Sequence, residues 1–195
     1  MAGKLIRLQM GSKINDWMKG GGAMNENRKN ELMKKAFQLG FDYEKTYRGC
    51  SQCTIAAVQD TLDIREDNIF KAATGLAAGG GLTGIGVCGG YVGSIMMISW
   101  LFGRERSNFA DPEKKRHVTF ALSRKFTQKY IQEFGSIICR DIQTHIFGRP
   151  YYIADPHEYD AFEAAGGHDD KCTNVVGKAS RLAVEFILNE GLLHL

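Results

Sequence analysis

The chain has no marked excess of charge of either sign. Its 195 residues carry 25 Lys and Arg against 22 Asp and Glu, a formal net charge of +3. So mild a balance excludes the electrostatic footprint of a nucleic-acid binder. No stretch of useful length alternates apolar and polar residues, which excludes a sheet-built fold. No internal repeat of fixed period occurs, which excludes a solenoid. The opening residues, MAGKLIRLQMGSKINDW, lack an apolar h-region and do not read as a secretory signal. Cysteines number five, and an odd count excludes complete internal pairing as disulfides. The expectation is a cytoplasmic protein with free, metal-bound or redox-active thiols. Missing too are GxxxxGK[ST], HExxH and GxSxG. No CxxCH occurs, so covalent haem is not expected.

What is present is ordinary globular composition, 44% hydrophobic and 24% charged, in a chain long enough to bury one core without staples. Prolines are only three against 23 glycines. Residues 1–24 read as a weakly ordered extension with a short helix at Ile14 to Met18. Residues 25–195 read as a single all-α domain, a compact bundle of six to seven helices with a Gly-rich internal turn. The first helix has Asn25 as N-cap, Leu32, Ala36 and Leu39 on its apolar stripe, and Gly40 as C-cap. The second starts near Cys50 and presents Ile55, Val58 and Leu62. The third runs from Glu66 through Ile69, Phe70 and Ala73.

Residues 72–103 hold no charge and ten glycines. The segment GLAAGGGLTGIGVCGG is too glycine-rich for a regular helix, since each Gly costs about 1 kcal/mol against Ala there. Tyr91 to Phe102 is a helix apolar on nearly every side, expected to be buried all round. Its length suits a core helix, so membrane insertion is not expected. Asp111 as N-cap, Pro112 at the first position and Glu113 in the first turn open a long helix. Its stripe is Val118, Leu122, Phe126, Tyr130 and Phe134. A short helix runs from Cys139 to Phe147. Gly148 to Asp170 reads as a loop, with Tyr151, Tyr152 and Tyr159 as candidates for a lid. The last helix runs from Cys172 to about Asn189, with Val175, Ala179, Leu182 and Phe186 flanked by Val176, Ala183 and Ile187.

Two formal GxGxxG matches, at Gly79 and Gly84, lack the preceding strand that a dinucleotide site requires. The run Lys114 to His117 reads as a solvated helix start. Cys50-Ser51-Gln52-Cys53 is a CxxC without a second pair, weak as a zinc signal, and it lacks the thioredoxin-like context. The cysteines say more once placed on helices. Cys50, Cys88, Cys139 and Cys172 all fall near predicted helix N-termini, where the macrodipole and unpaired amides favour thiolate. Thiolate is the form that binds metal and attacks disulfides.

The segments CSQC-TIAAVQDTL, AAGGGLTGIGVCGGYVG, FGSIICRDI and KCTNVVGKASRLAVEFIL resemble the redox-active family named for four cysteines and a CGAxxG motif (the C_GCAxxG_C_C pattern). The likeness spans about Tyr43 to Asn189. Its cysteines fall on Cys50, Cys88, Cys139 and Cys172, and its motif on Cys88 to Gly93. Gly90 stands where the family usually has Ala, and Cys53 is an extra thiol, an additional ligand, a resolving thiol or a helix residue. A similar domain occurs in split-Soret cytochromes, which carry haem and an iron–sulfur centre and form dimers. The resemblance therefore implies an iron–sulfur cluster, [2Fe–2S] in its expected form, on the four cysteines, with Gly86, Gly89 and Gly90 bringing backbone amides near it. It implies electron transfer or redox chemistry on a small ligand, a redox partner protein or small molecule, and a homodimer. His145 and His168 are candidates for a ligand or relay. The rival readings are a cofactor-free thiol–disulfide oxidoreductase and a structural zinc or packing role.

Overall fold

The computed structural model describes residues 25–191, so the extension with its expected helix at 14–18 lies outside the described residues. Among the described residues the fold is all-α. Its helices are α1 (Glu26–Tyr47), α2 (Cys50–Leu62), α3 (Asp67–Ala72), α4 (Gly89–Phe102), α5 (Lys115–Phe134), α6 (Cys139–Phe147), α7 (Pro156–Ala164) and α8 (Cys172–Asn189). Short 3-10 turns at Thr74–Gly79 and Arg106–Asn108 and a π turn at Gly167–Lys171 lie between them.

The centre of the bundle is α8, which packs against α1, α2, α4 and α5. Its whole expected stripe is buried: Val175, Val176, Ala179, Leu182, Ala183, Phe186 and Ile187. Against it stands an aromatic stack on α5. Phe126 meets Phe186 edge-on at 5.5 Å, and Tyr130 packs on Phe134 at 4.3 Å. Burying rings of this size supplies much of the core's stabilisation.

The α1–α8 contact is the most extensive, and it corrects one expectation. Gly40 does not end the first helix; α1 runs through it to Tyr47. Gly40 is there because the helices touch. A Cβ at Gly40 would lie 2.5 Å from Ser180 Oγ and 2.9 Å from the Val176 carbonyl oxygen. The fit is reciprocal, because a Cβ at Gly177 would lie 2.9 Å from the Phe37 carbonyl oxygen.

Three other expectations change. The tripeptide Asp-Pro-Glu at 111–113 does not begin α5. Asp111 sits at φ +54°, and its buried carboxylate reaches forward to accept from the Lys115 and Arg116 amides at 2.7 and 3.2 Å. The helix thus starts at Lys115, Val118 is left exposed, and Thr119 takes its place on the buried side. The segment 148–170 is not all loop. Asp155 accepts from the His157 and Glu158 amides, Pro156 takes the first turn, and α7 follows. Finally, α4 is not buried all round. Gly89, Gly90, Gly93, Ser94, Met97 and Ile98 form its buried side, and Tyr91, Ile95, Met96 and Trp100 are half-buried. Among the described residues no helix is long and apolar enough to cross a membrane.

The glycine notch between α1 and α8 makes a test of this packing. Gly177→Ala should destabilise the fold by about 1–2 kcal/mol in urea unfolding, because overpacking outweighs the gain in helix propensity. A neutral or stabilising effect would show that the helices can separate freely there.

Candidate functional site

The four cysteines at predicted helix starts do stand at helix starts. Cys50, Cys139 and Cys172 are the first residues of α2, α6 and α8, and Cys88 is the N-cap of α4. Each is delivered by a different local device. Arg48 and Gly49 both adopt positive φ, +63° and +86°, and this reversal turns the chain from α1 into α2 at Cys50. A lone antiparallel bridge pairs Val87 with Ile138. It is made by Cys88 N donating to Ile137 O at 2.8 Å and Cys139 N donating to Gly86 O at 2.9 Å. Residues 51 positions apart are thereby fixed on adjacent backbones. The π turn at Gly167–Lys171 leads directly into Cys172.

The CGG motif closes the site from the other side. An added Cβ at Gly89 would lie 2.2 Å from Cys50 Sγ and 2.8 Å from Ser51 N. At Gly93, one turn on, it would lie 2.6 Å from the Ser51 carbonyl oxygen. Only glycine at both positions lets α4 lie on α2 closely enough to bring Cys50 beside the residue after Cys88. Gly86 answers to the same demand, since its Cβ would lie 2.4 Å from the Gly79 carbonyl oxygen. Gly90 faces Tyr130 and Ala179.

Donors point at the sulfurs. The Ala78 amide donates to Cys50 Sγ at 3.3 Å, the Tyr130 hydroxyl to Cys88 Sγ at 3.4 Å, and the Gln143 amide group to Cys139 Sγ at 3.6 Å. Gln143 is itself held by the Tyr151 amide, which donates to its Oε1 at 2.7 Å. Cys172 packs beside the second apolar cluster of Tyr151, Ile153 and Phe162. The expected lid is therefore part of the core around the site: Tyr151 is buried, and Ala154 N donates to Leu82 O at 3.1 Å. Only Tyr152 of the three tyrosines stands out in solvent.

The four thiols sense one another. Burial first, and then the nearness of Glu44, Cys88 and Cys139, raises the pKa of both Cys50 and Cys172. All five cysteines are free thiols. The expectation that helix starts would favour thiolate is overturned by burial. Burial pushes Cys139 up to about 12 and Cys50 and Cys172 well above the ordinary thiol value. It also raises Cys88, against the pull of the Tyr130 hydroxyl and the Gly90 and Tyr91 amides. Among the described residues no three His, Cys, Asp or Glu side chains are placed to hold a single metal ion.

Cys53 belongs to another neighbourhood. Its thiol donates to the Arg48 carbonyl oxygen at 3.1 Å and lies by Glu44. Of the two candidate histidines, His145 is exposed, whereas His168 joins a buried acidic group. His168 Nε2 lies 3.7 Å from Glu44 Oε1, and its Nδ1 hydrogen-bonds Glu163 Oε1. Glu44 is 3% exposed and its Oε2 has no partner. Nothing in the apolar stripe of α1 announced this acid, because an isolated Glu on a helix reads as solvated.

A family model described as putative redox-active protein (C_GCAxxG_C_C) matches residues 48–186. The chain belongs to this family. The matched region holds all five cysteines, the motif glycines and the Val87–Ile138 bridge, so the family region and the converging thiols coincide. Membership supports a redox role. No curated protein and no solved structure matches the C_GCAxxG_C_C chain.

Two tests follow from this geometry. Gly89→Ala should displace Cys50 and increase its labelling rate by thiol reagents at least tenfold in the apo protein. Unchanged labelling would mean that α2 and α4 are not locked together. The second test concerns Glu44, whose carboxyl burial raises to about 7 from an ordinary 4.5. The folded state holds this proton more tightly than the unfolded chain. Its contribution is therefore complete below pH 4.5 and lost as pH rises through 7, about 3 kcal/mol in all. His168 is shifted the other way, lowered by burial, and opposes part of this below its ordinary value of 6.5. Unfolding of the reduced apo protein from pH 5 to 8 should show a fall in stability that Glu44→Gln removes. Parallel curves for the two proteins would refute the assignment.

Proposed function

We propose that Cys50, Cys88, Cys139 and Cys172 hold an iron–sulfur cluster, [2Fe–2S] in form, and that the protein uses it for electron transfer or for redox chemistry on a small ligand. The observation that carries this reading is the convergence of four thiols, two buried and two half-buried, from four chain segments, with amide and hydroxyl donors aimed at three of their sulfurs.

The donor set fits the group. All four ligands are sulfur, the soft donor that iron–sulfur centres take. The burial that raises the free thiols makes an uncompensated thiolate costly, and a bound cation removes that cost while releasing the protons. A single tetrahedral zinc would need its thiolates about 3.8 Å apart, given Zn–S bonds of about 2.3 Å. A cluster instead spreads its ligands over separate irons. When bound, such a cluster supplies reversible one-electron transfer. The chain's own residues do the rest. The Val87–Ile138 bridge sets Cys88 against Cys139, Gln143 and Tyr130 orient two sulfurs, and Tyr151, Ile153 and Phe162 pack against the half-buried Cys172.

A thiol–disulfide role is less well supported. It needs an attacking thiol with pKa near ambient pH, and these are pushed up. Cys50 and Cys53 also have different partners, the Ala78 amide and the Arg48 carbonyl. A redox partner and a second copy of the chain belong to the same proposal.

Anaerobic reconstitution with iron and sulfide tests it. The wild-type protein should turn brown, bind iron and sulfide in equal amounts, and bleach with dithionite. Serine at 50, 88, 139 or 172 should each cut iron uptake by more than half, and Cys53→Ser should leave it unchanged. Chelating the iron should bleach the protein and lower its melting temperature. Colourless wild-type protein after reconstitution would overturn the proposal.

A further inference from the structure

Tyr130 is fully buried near the C-terminal end of α5, packed by Tyr91 at 5.3 Å, Phe126 at 6.0 Å and Phe134 at 4.3 Å. A phenol this deep must place its hydroxyl on a partner, because a buried donor left unpaired is costly. Its aromatic neighbours offer none. Tyr91 spends its own hydroxyl on Thr127 Oγ1 at 2.7 Å, and Phe126 and Phe134 have none. The Tyr130 hydroxyl instead donates to Cys88 Sγ at 3.4 Å. Room for it comes from Gly90. An added Cβ there would lie 3.1 Å from the Tyr130 hydroxyl and 3.0 Å from Ala179 Cβ, so each neighbour would have to give by a few tenths of an ångström.

We propose that Tyr130 is a positioning residue for the redox centre: its hydroxyl, admitted by the missing side chain at Gly90, donates to Cys88 Sγ and sets the ease with which the centre is reduced. This rests on the reading that Cys88 is a cluster ligand. The reason is electrostatic. Adding one electron makes the ligating sulfur more negative, and a donor aimed at it stabilises that state more than the oxidised one. No bond is made or broken at Tyr130. One electron enters from the reductant, and the phenolic proton stays on oxygen. The buried site magnifies the effect, because water does not compete for the sulfur.

The midpoint potential of the reconstituted protein is the readout, with dithionite as reductant. Tyr130→Phe keeps the ring and removes the donor. At a fixed solution potential it should lower the ratio of reduced to oxidised centre by about tenfold, which is about 59 mV for one electron. Gly90→Ala crowds the hydroxyl and should shift the potential in the same direction by less. The double variant should be no lower than Tyr130→Phe alone, because the alanine then has no hydrogen bond left to disturb. A purely packing role would lower the melting temperature without moving the potential. Iron-loaded Tyr130→Phe with wild-type potential overturns the proposal alone. If Tyr130→Phe fails to fold, Gly90→Ala decides, and an unmoved potential in it is equally fatal. Wild-type protein that takes up no iron and sulfide sinks the cluster reading and this proposal together.

Discussion

The cysteine end of this protein depends on a carbon atom that is missing. A Cβ on Gly89 would stand 2.2 Å from Cys50 Sγ, well inside any permitted contact. With glycine there and at Gly93, α4 descends onto α2 until backbone meets backbone. That approach sets Cys50 beside Cys88, and the chain's return through the Val87–Ile138 bridge then adds Cys139. The glycines that would weaken an isolated helix are accepted because the close contact is worth more. The same exchange recurs at the opposite crossing, where Gly40 and Gly177 let α1 and α8 touch.

Burial has two consequences at the site. It makes the thiols poor acids, which disfavours reaction of the bare sulfur. It also leaves nearby acids without water. Glu44 and His168 are the outcome, a carboxyl held up and an imidazole held down, each by loss of solvent. Arg48 links the two regions, since its carbonyl takes the Cys53 thiol and its guanidinium lies 3.8 Å from Glu163.

Much of this was legible in the sequence, for identifiable reasons. The apolar stripe of α8 and the starts at Cys50, Cys139 and Cys172 follow from helical periodicity and local start signals. What periodicity does not carry is distance between segments. Gly40 reads as a stop because the sequence does not show Ser180 lying 2.5 Å from where its Cβ would be. Asp-Pro occurs twice, and only at 155 does the acid stand as N-cap. At 111 it takes positive φ and caps from further back, and the buried side of the helix it precedes begins at Thr119, not Val118. The charge-free stretch identified a close-packed turn but not its partner, Ile137 and Ile138. The raised thiols were missed because a helix start is a local feature and desolvation is a property of the whole fold.

The bridge between Val87 and Ile138 also has a meaning for how the family can vary. The chain leaves at Cys88, travels out along α4, turns through Arg106–Asn108, comes back along α5 and rejoins at Cys139. Three backbone hydrogen bonds tie the base of this excursion, the third from Arg140 N to Gly84 O. A lengthened turn at its far end would add only a slowly growing closure cost, about 0.6 kcal/mol per doubling, and would leave the base untouched. The hairpin is thus a handle whose outer end is open to evolutionary insertion while the spacing of the two cysteines stays fixed.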